Sequence, residues 1–246
     1  MNFNKLDTLK FLDAVRLKGQ LETNEAIFNV NKNTCSILTT TKIPVLAIKG
    51  QLHIEGEDIG EIGIGNIGMF RELINSIPDN IITITKKKNK LVCSNTEKTV
   101  EISYGLVNTE YIKSKITEDK YQTTLKVSQG NEFILDNNNL SSLLNYCRTL
   151  KADYILLSGI DKKLIMSLEA NENELVAEFI LSQPIKPFIV KFNTSYLMSI
   201  LGGQTSVIIS LQTNQIAYFK INTDTCQIEY LLAPIKVEDN DGDKKQ

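Results

Sequence analysis

Gly63-Ile-Gly65-Asn-Ile-Gly68 has the spacing of a dinucleotide-binding turn. In such turns the glycines let backbone approach a pyrophosphate at a helix N-terminus. The chemistry also needs an acidic residue about 20 positions on to hold the ribose. Here that place is taken by Lys86-Lys87-Lys88, and the segments that follow read as antiparallel hairpins. A turn leading into a helix is the plainer reading. The one histidine, His53, has no sequence neighbour suited to a triad or metal site, and reads as a surface or edge residue. Cys35, Cys93, Cys147 and Cys226 are far apart and form no Cys-x-x-Cys pair, so zinc-ligand spacing is absent. They read as reduced, mostly buried thiols of an intracellular protein. Asp and Glu are scattered, with no close pair on one element for general acid–base work. The pattern argues for a non-enzyme without cofactor or metal.

One charge run stands out: Lys86-Lys87-Lys88-Asn89-Lys90, placed in a hairpin turn. It reads as a solvated loop or as a contact to a DNA backbone or a partner. The formal net charge of the whole chain is only −2, which argues against holding nucleic acid by bulk positive charge. A hydrophobic content of 42% and a charged content of 23% are those of a soluble globular protein. The N-terminus lacks the apolar run of a signal peptide, and no apolar stretch approaches a membrane span.

The elements that would carry these residues alternate in type. Leu6–Lys18 reads as an amphipathic helix, with Phe11, Leu12, Ala14 and Val15 on one side and Lys5, Lys10, Asp13 and Arg16 on the other. Strands are expected at Ala26–Val30, Cys35–Thr40, Val45–Gly50 and Ile59–Ile64. A second helix runs over Asn66–Ile77 with Asn66 as its cap, followed by strands at Ile81–Thr85, Lys90–Ser94 and Thr99–Tyr104. Val107–Lys120 has no clear period and reads as a connector. The second half repeats this order. A helix over Leu140–Leu150 follows the Asn137-Asn-Asn139 cap, then come strands at Tyr154–Ser158, Leu164–Leu168 and Leu175–Leu181. A short helix, Thr194–Leu201, is closed by Gly202-Gly203, and the last strands are Ser206–Leu211, Ala217–Ile221 and Gln227–Leu232.

Matching order at matching spacing is what a duplicated domain predicts. The expected class is α+β: two similar domains of antiparallel sheets, each with two amphipathic helices. The first spans 1–106, the connector 107–120, the second domain 121–235, and an acidic flexible tail 236–246. Thr99–Tyr104 and Leu175–Leu181 fall at sheet margins, where apolar edges aggregate unless paired. A chain with one such edge at each end can pair head to tail, a heterologous contact that closes into a ring if the rotation fits.

The C-terminal stretch ends a strand at Ala233-Pro234, where proline has no N–H for a ladder, and continues as a short apolar hook, Ile235 and Val237, before turning acidic. Tyr-Leu-Leu-Ala-Pro-Ile-Lys-Val-Glu-Asp, residues 230–239, resembles the C-terminal ending of the ring-shaped DNA sliding clamps typified by proliferating cell nuclear antigen. The N-terminal half looks closer to the smaller clamps of tailed phages. Leu231 stands where a second tyrosine is usual in the cellular clamps, and the helical surface is poor in lysine. The resemblance implies a homotrimeric ring that encircles duplex DNA and tethers the replicative polymerase, with a clamp loader and other replication proteins also binding through peptide motifs. It implies DNA contacts from Lys5, Lys10, Arg16, Lys18, Arg71, Arg148 and Lys151. It implies a partner site drawing on Pro44, Val45, part of Val107–Ile116, Tyr230, Leu231, Ala233, Pro234 and Ile235, with Leu231, Pro234 and Ile235 held near solvent. Subunits would join through Val100, Ile102 and Tyr104 of one edge and Leu175, Ala177 and Phe179 of the other. Two other readings stay open: a monomeric or dimeric clamp-fold factor that binds DNA directly, which a strongly basic face would favour, and a nucleotide-cofactor enzyme built on Gly63–Gly68.

Overall fold

A computed structural model describes residues 2–17, 19–41, 43 and 45–237. The expected contributions of Lys18, Pro44 and the acidic tail beyond Val237 lie outside the described residues. The chain divides into two compact units, one running to Thr123 and including Lys220–Leu231, the other comprising Thr124–Phe219 and the chain from Leu232 on.

In the first unit β1 (Asn2–Asn4) leads straight into α1 (Lys5–Arg16), and β2 (Ala26–Val30), β3 (Thr34–Thr40), β4 (Leu46–His53) and β5 (Gly60–Ile64) follow. Then come α2 (Ile67–Ser76), β6 (Ile81–Lys87), β7 (Lys90–Asn95) and β8 (Glu101–Gly105). The connector is no featureless loop: it holds a short 3₁₀ turn, Thr109–Tyr111, and ends in α3 (Glu118–Val127). The second unit contains β9 (Asn131–Leu135), α4 (Asn137–Leu150), β10 (Tyr154–Ala170), β11 (Asn173–Asn193), α5 (Thr194–Leu201) and β12 (Val207–Leu211). The unit boundary falls within β13 (Ala217–Asn222), and β14 (Cys226–Leu232) belongs almost wholly to the first unit. β14 lies beside β4, and the His53 N–H donates to the Thr225 carbonyl at the start of that pairing.

The first unit has a sheet in the order β1-β6-β7-β8 and a second in which β5, β2, β3, β4 and β14 are successive neighbours. The pairings β1–β6, β6–β7, β7–β8, β2–β3, β2–β5 and β3–β4 are antiparallel, so the architecture is the expected α+β. Each helix is started by a side chain that takes an orphan backbone N–H: Asn4 accepts from Asp7 N at 3.1 Å, Asn66 from Met69 N at 2.8 Å, and Asn193 from Ser195 N at 3.0 Å. For α4 the cap is Asp136, accepting from Asn139 N at 2.9 Å. This corrects the expected asparagine cap, because the helix begins at Asn137 itself. α1 buries Phe11, Leu12 and Val15. Gly50 of β4 makes room for it, since a Cβ there would stand 2.9 Å from the Phe11 ring.

In the second unit the strands expected at Tyr154–Ser158 and Leu164–Leu168 are one long strand, β10, paired to the still longer β11. The register shifts between Gly159 and Lys163. The extra β11 residues there reach β9: the Gln183 amide donates to Glu132 O at 2.8 Å, and Lys186 N donates to Asn131 Oδ1 at 2.8 Å. Those contacts cover the outer edge of β9, whose other edge pairs with β12.

Candidate nucleic-acid and partner surfaces

The helices of the first unit present a face that is largely ion-paired. α2 runs antiparallel to α1, with Gly68 against the Arg16 guanidinium at one end and the Lys5 ammonium donating to the Ile77 carbonyl at the other. Arg71 makes a bidentate bond to Asp13, 3.0 Å for each contact, and a third to Glu72 at 3.0 Å. Arg16 binds Glu22 through Nε at 2.8 Å and Nη2 at 2.6 Å. Arg16 and Arg71 are therefore already neutralised by carboxylates, a pairing that helix periodicity alone did not reveal. Lys10 is exposed. In the second unit Arg148 and Lys151 are exposed, Lys151 in the left-handed conformation that closes α4. The rest of the α4 surface is neutral, with Asn137, Asn138, Ser141, Asn145 and Thr149 exposed.

The two expected edges are edges. Among the described residues β8 ladders with β7, and Leu175–Phe179 of β11 with β10, with no other strand paired to these segments; further along, β11 also touches β9 and forms one bridge to Ile235. Tyr104 of β8 points inward: it is buried, its ring meets Phe70 edge-on at 5.1 Å, and its hydroxyl accepts from Asn66 N at 2.9 Å. Burial pushes the Tyr104 hydroxyl pKa up. Ile102 is half-buried, while Val100 precedes the strand. On β11, Phe179 is buried, and Leu175 and Ala177 are half-buried. This stretch of β11, Leu175–Phe179, and Asn139, Ser142 and Tyr146 of α4 line a groove of about 510 Å³. The sequence did not single out Val176 and Ile180, which are 56% and 65% exposed; strand alternation puts them on the outer face.

The C-terminal strand corrects one expectation. Tyr230 is fully buried and its hydroxyl donates to the Ala14 carbonyl at 2.9 Å; burial raises its pKa. Leu231 is also buried, at 3% exposure, rather than held near solvent. Tyr230, Leu231 and Leu232 are all covered, as happens where a strand is buried on both faces and simple alternation stops. In the second unit Ala233, Pro234 and Ile235 are half-buried, and the Ile235 N–H donates to Lys191 O at 2.8 Å. Val45 in the first unit is half-buried. The exposed apolar residues of that region are Ile43, 52% exposed, and Tyr111 of the connector, 72% exposed. The connector follows β3, with Thr40 N donating to Ser114 O at 3.0 Å.

The glycine-rich turn is filled by protein. β5 before the turn and β6 after α2 lie in different sheets, so no βαβ unit forms. A Cβ on Gly63 would sit 2.2 Å from the Val107 carbonyl oxygen, one on Gly65 2.6 Å from a Val107 methyl, and one on Gly68 2.7 Å from the Arg16 guanidinium. The three glycines serve close packing, with Val107 seated against Gly63 and Gly65 and Arg16 against Gly68. Cys35 and Cys93 are pushed up to about 12 and Cys147 to about 11 by burial, so these thiols stay protonated and poorly nucleophilic at neutral pH. Among the described residues no group of three or more His, Cys, Asp or Glu could hold a metal ion. No helix among them is long and apolar enough to cross a membrane.

No family model matches the chain, and no curated protein matches it by sequence. Solved structures do match its fold. PCNA from Thermococcus kodakaraensis superposes with a TM-score of 0.76 at 15% identity, covering 96% of this chain and 99% of that one. Proliferating cellular nuclear antigen from Entamoeba histolytica gives 0.72 at 13% identity, covering 93% and 94%. A. fulgidus PCNA, bound to the C-terminal region of FEN-1, gives 0.74 at 15% identity, covering 96% and 97%. The chain therefore has the fold of the PCNA sliding clamps along nearly its whole length.

Proposed function

We propose that this chain is a DNA sliding clamp: three copies close head to tail into a ring around duplex DNA and tether the replicative polymerase and other replication proteins. The observation that carries the reading is a clamp fold spanning 96% of the chain with β8 at a sheet margin in the first unit and β11 at one in the second. A partner's β8 added to β11 would bring Ile102 to the groove formed with α4, beside Leu175 and Ala177.

Held by topology, the DNA needs no tight grip. Lys10, Arg148 and Lys151 would touch phosphates without reading bases, which allows sliding. Lys5, Arg16 and Arg71 would contribute less because their charges are already engaged, and Lys18 would add to this set. The absence of a strongly basic helix face among the described residues favours the ring over a factor that grips DNA as a monomer or dimer. Partner peptides, of the kind the A. fulgidus clamp holds from FEN-1, would place apolar anchors against Val45, Pro44 and the connector in the first unit. In the second unit they would use Ala233, Pro234 and Ile235. Tyr230 and Leu231, both buried, would not touch a peptide directly. A loader would use the same kind of peptide.

Light scattering tests the assembly. Three chains of 27.6 kDa give a particle of about 83 kDa, and Ile102→Pro or Ala177→Pro is expected to release monomers by removing a ladder donor. A wild-type chain that remains monomeric at micromolar concentration would overturn the trimer.

A further inference from the structure

We propose that the Lys86–Lys90 hairpin is a second phosphate contact for duplex DNA, separate from the helix faces. This rests on the clamp reading for the identity of the polyanion, and on the hairpin itself for the contact. β6 starts beside the beginning of α1, where Lys5 N donates to Asn80 O at 2.8 Å. It then runs away for seven residues, which puts the tip roughly 20 Å from that point at about 3.4 Å per residue.

The tip is held on both sides. Lys86 Nζ donates to the Ile59 and Glu61 carbonyls, each at 3.2 Å, and the Asn89 carbonyl accepts from Leu106 N at 2.8 Å. From this fixed frame Lys87, Lys88 and Lys90 extend into solvent. Among the described residues no ion pair involves any of the four lysines.

The arrangement works against local stability. Lys87 and Lys90 are direct cross-strand partners, and like charges so placed repel. Lys88 has φ 52, a conformation better suited to glycine or asparagine, although an asparagine is available at the next position. Solubility alone would be met by lysines placed anywhere on the surface. Concentrated, unpaired charge at a rigid tip, against local preference, marks a site built for an anion.

The patch also lacks what other anionic partners need. No large apolar residue is exposed between Ile81 and Tyr111, so a peptide would find no anchor and a membrane no insertion point. Lysines act as point charges without demanding a fixed partner geometry. That suits the uniform charge of a duplex, about one per 1.7 Å of axis.

The test is anisotropy of the full chain with an end-labelled linear duplex over a salt series, with melting temperature as a control. K87Q/K88Q/K90Q should lower affinity about tenfold or more at about 50 mM salt and reduce the salt slope by about 2–3, while Arg at the same three positions should restore both. The glutamine variant binding with wild-type affinity and slope would overturn the hairpin contact and leave the clamp reading standing. Loss in both triple variants would also overturn it, because charge would not be the cause. A wild-type chain with no salt-dependent DNA binding would overturn the hairpin contact and leave the clamp reading, which needs enclosure and not attraction, to the assembly and retention measurements. A glutamine variant that keeps DNA but loses binding to polyglutamate would replace DNA by an acidic protein partner.

Discussion

Tyr230 and Leu231 have 0% and 3% of their surface exposed, while Pro234 and Ile235 a few positions on are half-buried. Within one short segment the side chains thus divide into core and surface, and their substitutions should separate. Leu231→Ala leaves a cavity and is expected to cost about 2–5 kcal/mol of stability, read by urea unfolding. Pro234→Ser with Ile235→Glu should leave the melting temperature nearly unchanged, since the backbone bond from Ile235 N to Lys191 O does not depend on either side chain. The same double variant should weaken binding of a polymerase-derived peptide by about 1–3 kcal/mol per lost anchor, measured by calorimetry. Unaltered peptide affinity would move the partner surface elsewhere. The sequence shows the strand and its stop at Pro234, because alternation and proline chemistry are local signals. It does not show that Leu231 is covered, because burial on the second face depends on what packs there.

At the scale of elements, helices were legible wherever an amphipathic period met a capping residue, as in α1, α2, α4 and α5. α3 was not: its ten residues contain one buried side chain, Tyr121, and many charges. β9 was missed for the opposite reason, being too short for its Phe133 and Leu135 alternation to rise above its flanks. The length of β10 and β11 was hidden by Gly159, Asp161, Pro184 and Pro187, which read as turn residues but sit at or near the register shift of a continuous ladder. The pairing of Arg71 with Asp13 was also illegible, since the two are 58 residues apart in sequence. The glycine turn gives the element-scale prediction. Gly63→Ala would push a methyl into the Val107 carbonyl, a backbone atom that cannot swing aside, and should destabilise by about 1–3 kcal/mol. Dinucleotides should leave the wild-type melting temperature unmoved. A millimolar dinucleotide that raises it by several degrees would revive the cofactor reading.

For the molecule as a whole, a net charge of −2 and a mostly neutral helix surface favour retention by enclosure over retention by attraction. The two mechanisms respond oppositely to salt: counterion release makes an electrostatic complex fall apart as salt rises, whereas a closed ring on a closed path cannot leave. The direct measurement uses a linear duplex fixed to a surface at one end. The protein is threaded from the free end at low salt, that end is capped with a bulky protein, and salt is raised to about 1 M. The clamp account expects the chain to stay on the capped duplex and to be released when a nuclease cuts it. Release by salt alone while both ends remain blocked would contradict it.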